Sequence, residues 1–226
     1  MRGLSLIMKN LIKNERFILT AYLLVFLSTI FILLSFDKVH IHLFVNRNSN
    51  ETLDFIFRYI TILGDGFFVV SFCLLLLLYK YKTAITQALA FSVSGIAVQL
   101  LKNLLFTNSL RPNLYFEAFP EHSLRLVEGV KIANYYSFPS GHTASAFAMF
   151  FVFIFLVKKR WLKIVFLTIA MLVGYSRMYL SQHFMIDITI GSLIGVMSAI
   201  IIYSFMSRYN NKKLESSLIK QFFRLK

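Results

Sequence analysis

The sequence predicts an all-α, polytopic membrane protein with six transmembrane helices and both termini in the cytoplasm. Three observations carry this reading. Of the 226 residues, 58% are hydrophobic and the mean hydropathy is +0.69, more apolar than a soluble domain. The apolar residues gather in six runs, at 17–36, 61–79, 83–106, 142–157, 161–180 and 184–206. A helix needs roughly 20 such residues to cross a hydrocarbon core of ~30 Å, and the runs lack the alternation of barrel strands. Finally, threading six spans from a cytoplasmic N-terminus puts sixteen of the 24 Lys and Arg inside: Arg2 to Arg16, Lys80, Lys82, Lys158 to Lys163, and Arg208 to Lys226. Only Glu15 and Glu215 among the acids join them, a positive-inside asymmetry that sets the orientation.

Each segment follows in order. Residues 1–16 set Leu4, Ile7, Leu11 and Ile12 against Lys9, Lys13 and Arg16, the pattern of an interfacial amphipathic helix or of an ordinary cytoplasmic flank. No small-residue cleavage site follows the first run, so it reads as a retained helix. Residues 37–54 are polar and asparagine-rich, an external loop. The single cysteine, Cys73, sits in the second run and reads as a small apolar side chain. The third run carries Lys102 near its outer end. The loop at 107–138 holds Glu117, Glu121, His122, Arg125, Glu128 and Lys131, and loops of this length are usually functional. Lys158, Lys159 and Arg160 alone separate runs four and five, which reads as a tight hairpin. The tail sets Leu214, Leu218, Ile219, Phe222 and Phe223 against Lys213, Lys220 and Arg224 at helical spacing, again the pattern of an interfacial amphipathic helix able to bind anionic headgroups or of an ordinary flank. The organisation is thus a cytoplasmic segment 1–16, a membrane domain 17–206 and a basic tail 207–226. The net charge of +14 follows the membrane topology and implies no nucleic-acid partner. The sequence assigns no oligomeric state.

The chemistry-bearing residues cluster at the edges of the runs on the external side. Pro139, Ser140 and Gly141 precede the fourth run, and Pro and Ser open helices. The amides and dipole of such a helix start attract an anion, with the Ser140 hydroxyl and the 141 and 142 amides as donors. The bland alternative is a plain helix cap, but His142 adds an imidazole suited to general acid work. His183 and Asp187 stand four apart on one helix face. The carboxylate can fix the ring tautomer and leave the other nitrogen to attack phosphorus, or the two can be a structural pair. Arg177 and Arg111, the latter stiffened by Pro112, offer planar forks to phosphate, and Lys102 adds a third cation. Each alone also suits snorkelling toward headgroups. Together they imply a pocket for a phosphate carried on a lipid, with charge stabilisation supplied by cations and amides. No dense carboxylate or Cys/His cluster calls for a metal, and no cofactor is implied. The residues alone leave open which histidine attacks. A transporter without chemistry is the different-class alternative, although charges gathered at one edge and the lack of a repeat do not suit one.

Taken together, these residues resemble the type 2 phosphatidic acid phosphatase superfamily, which also includes vanadium haloperoxidases. The family has a lysine followed by Arg-Pro, then Pro-Ser-Gly-His, then Ser-Arg, five residues, His, three residues and Asp. Pro139-Ser140-Gly141-His142 and Ser176-Arg177…His183…Asp187 match without gaps. In the first signature the family has six residues between lysine and arginine, whereas eight separate Lys102 from Arg111. A longer helix or a bulged loop would absorb them. The resemblance covers roughly residues 55–206 and implies the family's membrane branch. It implies His183 as nucleophile, Asp187 orienting it, His142 protonating the leaving oxygen, and Lys102, Arg111, Ser140, Gly141 and Arg177 holding the phosphoryl oxygens. The implied substrate is a lipid phosphate or diphosphate such as phosphatidic acid, phosphatidylglycerol phosphate, a polyprenyl diphosphate or lipid A, with membrane lipids as the other partners. Transfer of the phosphoryl group to a second lipid would use the same residues. The implied location is a bacterial inner membrane with the site facing outward or to the periplasm. Asp65, near the outer end of the second run, is either a support for the site or a helix cap.

Overall fold

The computed structural model describes residues 3–119 and 121–222; Arg2, Phe223, Arg224 and Lys226, named above in the flanking segments, lie outside them. All regular structure among these residues is helical. In chain order the helices are α1 (Leu4–Asn14), α2 (Arg16–Ser35), α3 (Lys38–Arg47), α4 (Glu51–Ile60), a 3₁₀ turn (Thr61–Gly64), α5 (Gly66–Tyr79), α6 (Tyr81–Leu104), α7 (Pro112–Glu117), α8 (Gly141–Leu156), α9 (Arg160–Tyr179), α10 (Met185–Met206) and α11 (Leu218–Phe222).

Four helices, α2, α6, α9 and α10, are long and apolar enough to cross a membrane, and a fifth span exists if α4 and α5 count as one helix bent by 57°. The protein is therefore integral to a membrane. Every apolar run of the sequence forms helix, but two depart from a simple span. The second run breaks at Asp65, whose backbone is extended and whose carboxylate accepts from Phe67 N at 2.8 Å to start α5 anew. The fourth run, α8, is 16 residues long and is the core rather than a lipid-facing helix. All its residues from Thr143 to Phe155 except Phe153 are buried. By contrast α2 buries only Ile18 and Tyr22 and presents Leu24, Leu27, Phe31 and Leu34 outward, as lipid requires.

Small residues let the other helices close on α8. A methyl group on Gly195 of α10 would sit 2.5 Å from Ala144 O and 2.8 Å from Ala148 N. One on Gly191 would sit 2.6 Å from Ser140 O, and one on Gly64 2.6 Å from His142 O. Without a hydrophobic drive between helices in lipid, such backbone contact is what holds them. Gly195→Ala is therefore expected to cost about 1–3 kcal/mol by overpacking. Thermal unfolding in detergent, with a lowered midpoint, checks it.

Three segments read from sequence as loops or flanks are more ordered than expected. Residues 37–54, expected as a polar loop, contain α3, started by Asp37, which accepts from Val39 N and His40 N. The end of α3 is held because Asn46 finds a distant partner, donating to Arg125 O at 2.8 Å and accepting from Arg125 N at 2.9 Å, while Asn48 and Asn50 lie in the break before α4. The basic tail folds back on the α5–α6 corner. Tyr81 N donates to Ser216 O at 2.9 Å, Lys82 N to Leu214 O at 2.8 Å, and Glu215 pairs with Lys80. Likewise α1 is tied down beside Lys163 of α9, which pairs with Glu15.

Candidate functional site

The candidate site is assembled at the end of the bundle where α6 and α9 finish and where α8 and α10 begin. Two of its walls are helix starts. Ser140 is fully buried and caps α8: its Oγ accepts from Thr143 N at 3.4 Å and Thr143 Oγ1 at 2.9 Å. Since both partners donate, the Ser140 hydroxyl proton is free for another acceptor. Gly141 and His142 follow as the first residues of the helix, with their amides at its positive end. The second start is α10. Asp187 in its first turn accepts at Oδ2 from Phe184 N at 2.9 Å, from His183 Nδ1 at 3.3 Å and from Ser137 Oγ. Its carbonyl takes Ser140 N at 3.0 Å, which ties the two helix starts together.

Between α9 and α10 the chain makes a compact turn. Arg177 O accepts from both Gln182 N at 2.9 Å and His183 N at 3.2 Å, and Ser181 takes φ 52°. The turn carries Arg177 and His183 to the same end of the bundle. Arg177 is buried, and its Nη1 donates to Thr61 Oγ1 at 2.7 Å while its Nε finds no partner among the described residues. Arg111 caps the start of α7 from the long loop. Its Nε donates to Tyr135 O at 3.0 Å and its Nη1 to Gln182 Oε1 at 3.1 Å. Lys102 is 8% exposed in the last turn of α6, and lies in the field of Arg111, Arg177 and Asp187. The extra residues before Arg111 go into a bulge: Phe106 N turns back onto Leu101 O, and Ser109 N onto Phe106 O.

His183 is 2% exposed. Burial, then Arg111, Arg177 and Lys102, hold its imidazole well below the usual 6.5, so the ring is neutral. A neutral ring donating from Nδ1 to Asp187 leaves its Nε2 lone pair bare. His142 stands in the field of Arg177, His183 and Arg111. Its Nε2 is 3.6 Å from Asp65 Oδ2, and about a third of its side chain (32%) is accessible. Asp65 is the cap of α5 through one oxygen and faces His142 with the other. Among the described residues no group of three or more His, Cys, Asp and Glu converges in a way suited to a metal ion.

The PAP2 superfamily profile matches residues 82–211, more than half of the chain. The chain belongs to the PAP2 superfamily. Among known proteins it is 25% identical over 187 residues to an undecaprenyl-diphosphatase of Sulfolobus acidocaldarius, covering 80% of this chain and 84% of that one. It is 40% identical over 68 residues to the bacitracin transport permease protein BcrC of Bacillus licheniformis, but that match spans 30% of this chain and only 32% of the relative. Of solved structures, LpxE of Aquifex aeolicus superposes with a TM-score of 0.61 at 27% identity, over 73% of this chain and 93% of that one. A transmembrane PAP2 type phosphatidylglycerolphosphate phosphatase from Bacillus subtilis superposes at 0.65 over 85% of this chain and 98% of that one; its 20% identity speaks for the fold alone.

All eight residues singled out in this PAP2 chain, Lys102, Arg111, Ser140, Gly141, His142, Arg177, His183 and Asp187, reach one end of the bundle, on α6, the long loop, α8 and the α9–α10 turn. Sequence reasoning missed Ser137, Gln182 and Thr61, the partners of Asp187, Arg111 and Arg177. Ser137 and Thr61 lie outside the signatures, Gln182 falls on an unspecified position of the third, and their types occur on any polar loop. Lys102→Ala is expected to lose about 10²–10³-fold in kcat, as for removal of one preorganised donor to a charged transition state. Phosphate-release kinetics on a lipid phosphate check it.

Proposed function

We propose that this PAP2 protein is an integral-membrane lipid phosphatase. It removes a phosphate from a lipid phosphomonoester or diphosphate through a phosphohistidine, at the external face of a six-span bundle whose termini are cytoplasmic. The observation that supports it best is the neutral, buried His183 paired to Asp187 and surrounded by Lys102, Arg111 and Arg177. Burial without substrate makes three cations in one place costly, and a bound phosphate dianion relieves that cost.

The geometry supports the following proposed steps. A phosphoryl group seated at the α8 start meets the Gly141 and His142 amides, the Ser140 hydroxyl and the three cations. His183 Nε2 attacks phosphorus as the bond to the lipid oxygen breaks, and the ring's positive charge is held by Asp187. His142 gives its proton to the departing oxygen, so the lipid leaves as an alcohol, or as a monophosphate if the substrate was a diphosphate. Water then gives a proton to His142 and attacks phosphorus, the P–N bond breaks, and inorganic phosphate leaves with His183 restored.

The orientation is supported by the basic segments, which lie at the other end of the bundle. Tyr81 and Lys102 bound most of α6, a separation of roughly 30 Å at 1.5 Å per residue. The sixth span in this reading is α8, shielded from lipid by its neighbours. One relative aligned over most of both chains is an undecaprenyl-diphosphatase, which makes a polyprenyl diphosphate the first substrate to try.

The test is phosphate release from a panel of lipid phosphates by purified protein in detergent with a chelator present. Turnover of at least one lipid is expected. Release of no phosphate from any member, with the label instead moved onto a second lipid, would replace hydrolysis by transfer; no reaction of either kind would overturn the proposal.

A further inference from the structure

The external helix α3 carries a histidine that the proposed reaction does not use. His42 is 1% exposed. Its ring lies between Phe116, at 5.6 Å, and Phe184, at 5.4 Å. Its Nε2 is 3.2 Å from Ser181 Oγ, and its Nδ1 is buried with no partner among the described residues. Burial pushes the ring down to about 4 despite Asp187, so it is neutral and carries one proton. A proton on Nδ1 would be a buried donor without an acceptor; on Nε2 it is donated to Ser181. A phenyl ring would fill the same aromatic slot without leaving a nitrogen unpaired. The bond to Ser181 is the one thing an imidazole adds there.

Ser181 is where such a bond matters. Its φ of 52° lies in the left-handed region, which a residue with a Cβ adopts at a cost unless it is held there. That reversal lets the next two amides close on Arg177 O and sets His183 against Asp187. The same reversal places Gln182, which takes Arg111 Nη1. The rest of α3 braces the turn as well: Ile41 and Val45 pack with Met178, Tyr179 and Leu180, and Leu43 packs with Phe184.

We propose that His42 is a positioning residue: through its hydrogen bond to Ser181 it holds the 180–184 turn in the left-handed conformation that presents His183 to the phosphate and Gln182 to Arg111. The inference rests on the reading of His183 as the attacking group, but it predicts an effect on the turn itself that needs no activity.

The variants are His42→Phe, which keeps the aromatic packing and removes the bond, Ser181→Gly, and the two combined. In the full-length protein in detergent, His42→Phe should speed amide hydrogen exchange across 180–184 by at least about tenfold. It should lower kcat about ten- to a hundredfold with KM changed by less than about twofold, the signature of a misplaced nucleophile. Glycine takes positive φ freely, so the double variant should exchange and turn over within about twofold of Ser181→Gly alone. Should His42→Phe not fold, Ser181→Ala removes the same bond from the other side and should raise exchange likewise. Unchanged exchange in the variant that removes the bond overturns the proposal. So does a loss that persists in full in the Ser181→Gly background, or a rise in KM with kcat intact, which would mean that His42 meets the lipid. A wild-type protein that releases no phosphate would sink the phosphatase reading, while the exchange measurement would still decide the role of His42.

Discussion

His183→Ala should lower kcat for a lipid phosphate by at least about 10⁴-fold, the scale on which removal of an attacking group from a coupled catalytic unit is felt. The expectation comes from the environment of the ring rather than from its presence in a motif. A side chain 2% exposed, with Asp187 on Nδ1 and three cations nearby, is a free base with one bare nitrogen. His142, the other imidazole of the pocket, differs in placement: its side chain is partly open and its Nε2 faces Asp65. Rapid quenching of wild-type protein with labelled substrate should trap phosphoprotein that is labile to acid, and His183→Ala should trap none. The direction of the His183 shift adds a pH signature. Its basicity is held well below 6.5, so protonation removes the lone pair only at more acidic pH, and the acid limb of kcat should fall below 6.5. Activity within a hundredfold of wild type in His183→Ala would show that another group attacks.

The helical runs were legible because lipid tolerates little besides apolar side chains in helices. Runs such as 161–180 and 184–206 match α9 and α10 to within a residue. Where distant contacts decide, the sequence is mute. Nothing near Asn46 announces that Arg125, 79 residues away, will pair with it, so α3 reads as a polar loop. Asp65 interrupts the second run for a tertiary reason too, since its carboxylate serves both the start of α5 and His142. The signatures at 139–142 and 176–187 were readable because a helix start and a four-residue spacing are local geometry. The reach of Lys102 was not, because it depends on how the chain between Leu105 and Leu110 disposes of its extra length. The bulge at Phe106 and the tie of Ser137 N to Ser109 O bring Arg111 back toward the α6 end, and neither shows in a spacing count.

His142→Ala should fall about 10²–10⁴-fold on a lipid phosphomonoester, the range for loss of a positioned general acid, and the size of the loss should depend on what leaves. An alkoxide is a poor leaving group and needs its proton in the transition state. A p-nitrophenolate needs none, so on p-nitrophenyl phosphate the same variant should lose less than about tenfold in the step that forms phosphohistidine. Its steady-state rate should still suffer, because hydrolysis of the intermediate calls on the same imidazole to take a proton from water. The intermediate should therefore accumulate, turning a slow phosphatase into one that is phosphorylated fast and dephosphorylated slowly. Asp65→Asn separates this role from a structural one. Asparagine caps a helix nearly as well as aspartate and so keeps the start of α5, but it withdraws the negative charge 3.6 Å from His142 Nε2. A loss that follows leaving-group basicity in both variants, stronger in His142→Ala than in Asp65→Asn, places the acid at His142. Equal losses on lipid and p-nitrophenyl phosphate, without accumulated phosphoprotein, would mean that His142 only binds the phosphate.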